Sequence, residues 1–146
     1  MGREFRTQRR VEFRDTDAAG IAHFSALIVY LEQAEHDFLR SIGTTVMIPE
    51  DAEHLPVDER VRWPRVHVEA DFQGPVRFED MLDIDVRILR MGSKSVTYGF
   101  VMTCNGAPVC TGSTTAVCCL ETDGKLHGVS IPLSIREKFS HFLAKD

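Results

Sequence analysis

A chain of 146 residues that is 43% hydrophobic and 27% charged is long enough to form one domain with a sizeable buried core. Its net charge of −5 argues against a nucleic-acid partner, because non-specific binding to phosphates relies on a positive surface. No apolar run reaches the roughly 18 residues that a membrane-spanning helix needs, so no membrane partner is predicted either.

The N-terminal residues and the cysteines both indicate the cellular compartment. The first residues, Met-Gly-Arg-Glu-Phe-Arg, lack the apolar core of a signal peptide and the Ser or Thr that myristoylation favours at position 6. The four cysteines lie within residues 104–119 without C-x-x-C spacing, so we expect buried free thiols and neither a zinc site, another metal nor a cofactor. These features predict a cytoplasmic protein.

The first predicted element is a strand over residues 7–14, and it leads directly into two acidic residues. Asp15 and Asp17 are separated by one residue and are followed by the small-residue turn Ala-Ala-Gly, which ends at Gly20. Continued strand alternation would turn both carboxylates to one face. Gly20 suits a position of positive φ or of close substrate approach.

A long helix is predicted next, over residues 24–42. Its apolar residues recur on one face, at Leu27, Leu31, Ala34, Phe38 and Ile42. Gly43 is well placed to end this helix in the left-handed conformation. Residues 44–60 contain two prolines and five acidic residues, which predicts an irregular surface segment with a short helical turn.

The rest of the chain is mainly strand-like. Four strands are predicted, over residues 61–72, 81–89, 95–104 and 109–120, and apolar residues recur at every second position in the first two of them. Asn105-Gly106 predicts a hairpin turn, and Ser134 with Glu137 predicts a capping box that starts a short C-terminal helix. One long helix followed by antiparallel strands predicts the α+β class rather than a βαβ series. Because one helix cannot cover such a sheet, we expect dimerisation through an edge strand.

Residues 13–21, Phe-Arg-Asp-Thr-Asp-Ala-Ala-Gly-Ile, carry a family resemblance together with His23-Phe24 and Tyr30-Leu31-Glu32. They resemble the hotdog-fold acyl-CoA thioesterases of the 4-hydroxybenzoyl-CoA thioesterase type. Weaker similarity continues through residues 63–64, 71–72, 75–80 and 92–95, so residues 1–146 are expected to form a single hotdog thioesterase domain. The resemblance implies an antiparallel sheet wrapped around one long helix, and a homodimer or homotetramer with its active site between subunits.

The chemistry of the site begins with a carboxylate beside the start of a helix. The first N–H groups of a helix have no partner within it, so they can polarise a carbonyl that the carboxylate attacks or against which it activates water. The resemblance implies that Asp17 is this nucleophile or general base and that the backbone N–H of Phe24 binds the thioester oxygen. The alternative reading of Asp17 is a residue that only caps the turn.

Asp15 and His23 lie on either side of Asp17 and are further candidates. Asp15 is expected to bond turn amides rather than to take part in the reaction. His23 departs from the family pattern, since many relatives carry Tyr-His where this chain has His-Phe at positions 23–24. It is a candidate for substrate binding or for a base, with a half-buried pocket histidine as the alternative.

Three further residues are candidate substrate contacts. Glu32 lies on the helix at about the depth where another thioesterase branch of this fold carries its catalytic glutamate, with a solvated or interface glutamate as the alternative. Arg90 and Lys94 flank a strand turn and are candidates to bind the phosphates of CoA. The resemblance aligns Lys94 with a basic position that contacts the nucleotide end, and solvated turn charges are the alternative. Glu35 lies close to the apolar face of the helix and has no explanation at this stage.

These observations favour hydrolysis of an acyl-CoA thioester to a free acid and CoA. A hotdog hydratase is disfavoured, because its signature pairs Asp with His across four residues and here five separate Asp17 from His23. The other alternative is a non-catalytic hotdog module that binds acyl-CoA or acyl-carrier protein. The sequence leaves the acyl group open.

Overall fold

A computed structural model describes residues 2–44 and 46–145. The predicted irregular segment 44–60 includes Thr45, which lies outside them. In chain order the strands and helices are β1 Phe5–Arg10, α1 Phe24–Ser41, β2 Arg65–Phe72, β3 Met81–Met91, β4 Ser95–Cys104, β5 Ala107–Val117, β6 Cys119–Thr122, β7 Lys125–Gly128 and α2 Leu133–Ser140. This order of elements confirms the predicted α+β class.

Five strands form one antiparallel sheet in the order β1-β3-β4-β5-β2. Strand β3 lies near its middle and alternates as the sequence predicts. Its inward residues are fully buried, namely Leu82, Ile84, Val86 and Ile88. The hairpin between β4 and β5 turns at Asn105 and Gly106, both with positive φ, as the Asn-Gly signal requires.

Helix α1 packs its apolar stripe against this sheet and forms the centre of the core. Leu31, Ala34 and Phe38 are each 0% exposed, and the Phe38 ring contacts those of Tyr98 and Phe139. Gly43 follows the helix with φ +82°, which confirms the predicted left-handed end. None of the helices described here has the length and apolarity needed to cross a bilayer.

The first strand was predicted over residues 7–14, but in the structure it begins and ends earlier, at Phe5 and Arg10. Strand β1 ends at Arg10, and Phe13–Asp15 form a 3₁₀ turn, so strand alternation does not relate Asp15 to Asp17. The strand predicted over residues 109–120 is divided in the structure. Strand β5 ends at Val117, and residues from Cys119 form β6, which pairs with β7, a strand that was not predicted. A local run of β-branched residues does not reveal which partner each part of it will pair with.

The predicted capping box of the C-terminal helix is wrong. Helix α2 begins at Leu133 with Pro132 at its N-cap, and the Ser134 hydroxyl instead donates to Asp58 at 2.8 Å. The segment between α1 and β2 contains two 3₁₀ turns, Ala52–His54 and Val57–Glu59, rather than one helical turn. The Ser134–Asp58 bond therefore ties this segment to α2.

The prediction for residues 61–72 is correct only in part. Strand β2 begins at Arg65, and a bulge near Val66 interrupts the expected alternation. Val66 and Val68 are 62% and 49% exposed, so these apolar residues do not form a buried face within one chain. The strand lies at the edge of the sheet, where a single copy of α1 does not cover it.

Candidate active site

Residues 12–23, here called the carboxylate loop, fold back on themselves between β1 and α1. The Asp17 N–H donates to the carbonyl of Ile21 at 2.9 Å, and the Gly20 N–H donates to the carbonyl of Asp17 at 2.9 Å. Gly20 has φ +78°, a conformation that favours glycine, as the sequence predicts. The turn therefore holds Asp17 at its base and Gly20 near its tip.

The half-buried side chain of Asp17 lies on the wall of a cleft of about 460 Å³. Its Oδ1 accepts a hydrogen bond from the Ala19 N–H at 2.8 Å, which orients the carboxylate. The other residues that line the cleft are mostly apolar, namely Ile21, Ala22, Phe24, Leu27, Phe72, Gln73, Gly74, Pro75 and Val76. A carboxylate in such a cleft can act on a substrate that places its apolar part against these walls.

Phe24 is the first residue of α1 and lines the same cleft. Its N–H forms no hydrogen bond with another described residue, as expected of an N-terminal helix donor. Its ring is 60% exposed and lies edge-on to that of Phe72, with 6.2 Å between ring centroids. The cleft is therefore lined by both residues that the sequence predicts to carry the catalytic groups, Asp17 and Phe24.

His23 has a structural role that the sequence analysis missed. It is exposed, not half-buried, and it is the N-cap of α1, where Nδ1 accepts a hydrogen bond from the Ser25 N–H at 3.2 Å. Its ring packs against that of Phe24, with centroids 4.5 Å apart, but His23 is absent from the lining of the cleft. The position of His23 immediately before the first helical residue was the sequence signal that could have predicted this N-cap.

Asp15 turns away from Asp17 and towards the helix. Its Oδ2 accepts hydrogen bonds from the Tyr30 hydroxyl at 2.6 Å and from the Glu12 N–H at 3.2 Å. The expectation that Asp15 bonds a turn amide is thus confirmed, whereas a shared face with Asp17 is wrong. Burial, together with the hydrogen bond to Asp15, raises the pKa of Tyr30 well above its ordinary value.

The remaining candidate contacts lie away from this cleft. Glu32, Arg90 and Lys94 are all exposed, and none lines the cleft of its own chain. Burial lowers the pKa of Arg65, an effect that the charge of Glu32 opposes, so Glu32 lies within electrostatic reach of strand β2. Arg90 lies in β3, and Lys94 lies in the turn that follows it.

Glu35, unexplained from the sequence, joins α1 to the edge strand. It is 1% exposed and forms an ion pair with Arg65, while Thr114 of β5 donates a hydroxyl hydrogen bond to its carboxylate. A buried carboxylate needs such partners. Sequence periodicity indicates that Glu35 faces the sheet, but it does not identify a strand residue thirty positions away as the partner.

The cysteines do not supply a second nucleophile. Cys110, Cys118 and Cys119 are buried and Cys104 is partly buried, all as free thiols. Burial raises the pKa of Cys110 and that of Cys118 to about 11, which keeps both in the unreactive thiol form near neutral pH. Among the residues that the structure describes, no cluster of His, Cys, Asp and Glu is placed to hold a metal ion.

Comparison with known proteins gives a family match over most of the chain. The model of the thioesterase-like superfamily matches residues 11–139. A 1,4-dihydroxy-2-naphthoyl-CoA hydrolase of Prochlorococcus marinus (strain MIT 9303) is 33% identical over 98 residues, which are 66% of this chain and 65% of that protein. The protein of the same name from Synechococcus elongatus is 28% identical over 115 residues, which are 79% of this chain and 81% of that protein.

Solved structures give the same result for the fold. A gentisyl-coenzyme A thioesterase is similar with a TM-score of 0.75 and 27% identity, over 90% of this chain and 99% of that one. A 1,4-dihydroxy-2-naphthoyl-CoA thioesterase from Synechocystis has a TM-score of 0.79 at 19% identity, over 94% and 96% of the two chains. Together with the observed topology, these similarities confirm the predicted hotdog fold.

Proposed function

The chain belongs to the thioesterase-like superfamily and is a thioester hydrolase, and from this premise we propose that it cleaves an acyl-CoA to a free acid and CoA. One observation carries the proposal: Asp17 and Phe24 line the same cleft, and the N–H of Phe24 has no hydrogen-bond partner among the described residues. The names of the curated relatives, which are hydrolases of a CoA ester, support the substrate class.

In the proposed reaction, the thioester oxygen accepts a hydrogen bond from the Phe24 N–H while its carbonyl carbon lies beside Asp17. The donor belongs to the N-terminus of α1, where the partial positive charge of the helix favours the developing oxyanion. Loss of one such donor costs about 3 to 4 kcal/mol in comparable oxyanion sites. The amide therefore supplies electrostatic stabilisation, and Asp17 supplies the reactive group.

Two routes use Asp17 and give the same products. As a nucleophile, a carboxylate oxygen forms a bond to the carbonyl carbon, the carbon–sulfur bond breaks, and CoA leaves as a thiolate that takes up a proton. Water then hydrolyses the mixed anhydride and restores Asp17. As a general base, Asp17 instead takes a proton from a water molecule whose oxygen attacks the same carbon.

The walls of the cleft favour an aromatic acyl group. Phe24 and Phe72 expose their rings there, and Leu27 and Val76 complete an apolar surface beside them. Relatives named for dihydroxynaphthoyl-CoA and gentisyl-CoA support the same choice. Gly20 leaves open space at the turn, where an added β carbon would meet only Arg77 within 4 Å among the described residues, so a substrate that reaches the turn can approach the backbone closely.

The proposal extends to the binding of CoA and to assembly. Arg90 and Lys94 are assigned to the phosphates of CoA, His23 to the mouth of the cleft beside Phe24, and Glu32 to the subunit boundary near β2. Because Arg90, Lys94 and Glu32 lie outside the cleft of their own chain, these roles require a homodimer or homotetramer that brings a second copy to the site. The exposed edge strand β2 supports such an assembly.

The test is the replacement Asp17→Asn, which keeps the shape of the side chain but removes its charge and nucleophilicity. Thiol release from a panel of aromatic and aliphatic acyl-CoA esters should fall at least a hundredfold, with the fold intact by circular dichroism. Asp123→Asn is the matched control, because Asp123 lies in the exposed β6–β7 turn, and it should keep full turnover. Full turnover by Asp17→Asn would reject the assignment, and substrate binding without thiol release by the wild type would favour the non-catalytic module.

A further inference from the structure

The link between Tyr30 and Asp15 takes no part in the proposed reaction, yet it joins the two structures that carry the catalytic groups. We propose that Tyr30 is a positioning residue for hydrolysis: its hydrogen bond to Asp15 fixes the carboxylate loop against α1 and so sets the place of Asp17 relative to the Phe24 N–H. This inference rests on the function proposed above.

The link is short and partly buried. The Tyr30 hydroxyl donates to Asp15 Oδ2 at 2.6 Å, and Tyr30 is only 3% exposed. A hydroxyl bonded to a carboxylate at this distance is among the stronger hydrogen bonds in proteins. The Glu12 N–H donates to the same oxygen at 3.2 Å, so the carboxylate joins the helix to the start of the loop.

Asp15 also controls the other end of the loop through its backbone. Its carbonyl accepts the His23 N–H at 2.7 Å, and its own N–H donates to the carbonyl of Glu12 at 2.9 Å. His23 immediately precedes Phe24, and Asp17 lies two residues beyond Asp15. A shift of Asp15 therefore displaces the reactive carboxylate and the residue next to the backbone donor together.

Tyr30 is well placed to set this distance because it belongs to the same rigid helix as Phe24. Tyr30 lies six positions after Phe24, which corresponds to about 9 Å along the helix axis. The loop has another tie, from the Ala22 N–H to the carbonyl of Val76 at 2.8 Å, but that bond leads to the segment after β2. Tyr30 connects the first part of the loop to the second turn of α1, whereas the bond between the His23 side chain and Ser25 connects only the last loop residue to the first turn.

The link should persist across the pH range of an enzyme assay. Burial raises the pKa of Tyr30, and the bond to Asp15 raises it further, so the hydroxyl remains a donor at neutral and mildly alkaline pH. Loss of the hydroxyl should consequently reduce turnover by the same factor at each pH between about 6 and 9. A group that transferred protons during the reaction would instead change the pH profile.

The test is Tyr30→Phe, which removes one hydroxyl and keeps the buried ring. We expect kcat to fall about ten- to a hundredfold with KM changed less than twofold, because small misplacements of reacting groups are costly. Tyr98→Phe is the matched control, since Tyr98 is the other tyrosine, is fully buried, and has a hydroxyl without a hydrogen-bond partner among the described residues. Tyr98→Phe should keep the wild-type kcat.

A second measurement separates positioning from loss of stability. Assays are run well below the unfolding temperature of each variant, and the ¹⁵N amide resonance of Phe24 is followed in folded protein. It should shift in Tyr30→Phe and not in Tyr98→Phe. Asp15→Ala should lower kcat to a similar degree, and combining it with Tyr30→Phe should add little, because both remove the same link.

The outcomes distinguish this inference from the function on which it rests. If Asp17→Asn abolishes turnover but Tyr30→Phe leaves it at the wild-type level, the positioning role of Tyr30 is overturned and the proposed function stands. A fall in kcat of Tyr30→Phe that varies with pH, or an unshifted Phe24 amide, would also overturn it. An inactive wild type, or a fully active Asp17→Asn, would overturn the proposed function and with it the role of Tyr30.

Discussion

At the scale of single residues, the backbone of Gly20 gives the sharpest test of the carboxylate loop. A β carbon there meets only Arg77, at 3.9 Å, so Gly20→Ala creates strain in the backbone (φ +78°) rather than a clash. That strain costs about 1 to 2 kcal/mol for a residue with a side chain. If the turn rotates to relieve this backbone strain, Asp17 moves with it, so kcat should fall at least tenfold.

Gly106 offers a matched control, because it has φ +82° and a β carbon added there meets nothing within 4 Å. Gly106→Ala, in the β4–β5 hairpin, should lower the free energy of unfolding by a similar amount and leave kcat unchanged. Both variants are compared by urea unfolding and by thiol release. Equal turnover in the two variants would show that the loop conformation does not control the position of Asp17.

The placements that the sequence predicts and the structure shows are those whose signals are local. Asp17, Gly20 and Phe24 share one short motif, and the structure brings Asp17 and Phe24 to one cleft. The roles of His23 as a cap and of Glu35 as a buried ion-pair partner depend on contacts that periodicity does not reveal. Arg65 lies 30 positions from Glu35, and only the tertiary fold, which brings the start of β2 to α1, makes them neighbours.

At the scale of elements, the carboxylate of Asp37 makes several of the polar contacts between α1 and β1. Asp37 accepts a hydrogen bond from the Thr7 hydroxyl at 2.7 Å and forms ion pairs with Arg9 and Arg40. Burial alone would raise the pKa of Asp37, but the bonds from Thr7, Arg40 and Arg9 outweigh it and lower that pKa. The carboxylate is thus stabilised in its charged form when the helix is docked.

This lowered pKa predicts the direction of the acid response. The stabilisation is fully present above the pKa of an unfolded aspartate and is lost as pH falls through the lower pKa of the folded state, because the unfolded chain then binds more protons. Asp37→Asn should therefore unfold more easily at pH 6 and show a flatter loss of stability between about pH 4 and pH 2. Urea unfolding at each pH measures both effects.

Asp71→Asn serves as the control for this prediction, since Asp71 is an exposed residue of β2. It should keep the wild-type acid response. If Asp37→Asn also keeps the steep wild-type loss of stability in acid, Asp37 does not carry the linkage between α1 and β1.

The bounds of helices, turns and strands were predicted well where a strong local sequence pattern determines them. They were predicted poorly where contact with a residue distant in sequence determines them. The period of α1 and the Asn105-Gly106 turn are such patterns, and the structure confirms both. The start of α2 was misplaced because Ser134, a good cap by sequence, bonds Asp58 instead. The bulge in β2 similarly depends on its register with β5, which the sequence of β2 does not contain.

At the scale of the whole molecule, one copy of the chain leaves the surface around β2 incomplete. This strand is an edge of the sheet, and it exposes Val66, Val68 and Phe72. Phe24 and Val29 of α1 are also exposed, at 60% and 47%. Unpaired strand groups beside apolar side chains favour pairing with another strand.

We therefore predict that a charge on this surface separates the subunits and lowers activity. Val68→Lys should reduce the sedimentation coefficient to that of a monomer, because a lysine in an apolar interface loses its hydration without gaining a partner. Thiol release should fall with it, since the assigned roles of Arg90 and Lys94 require a second copy at the cleft.

Leu126→Lys is the control: Leu126 is 50% exposed in β7, close to the 49% of Val68, but it lies outside the five-stranded sheet. A Val68→Lys variant that remains oligomeric would place the interface elsewhere, and a fully active monomer would show that each chain contains a complete site.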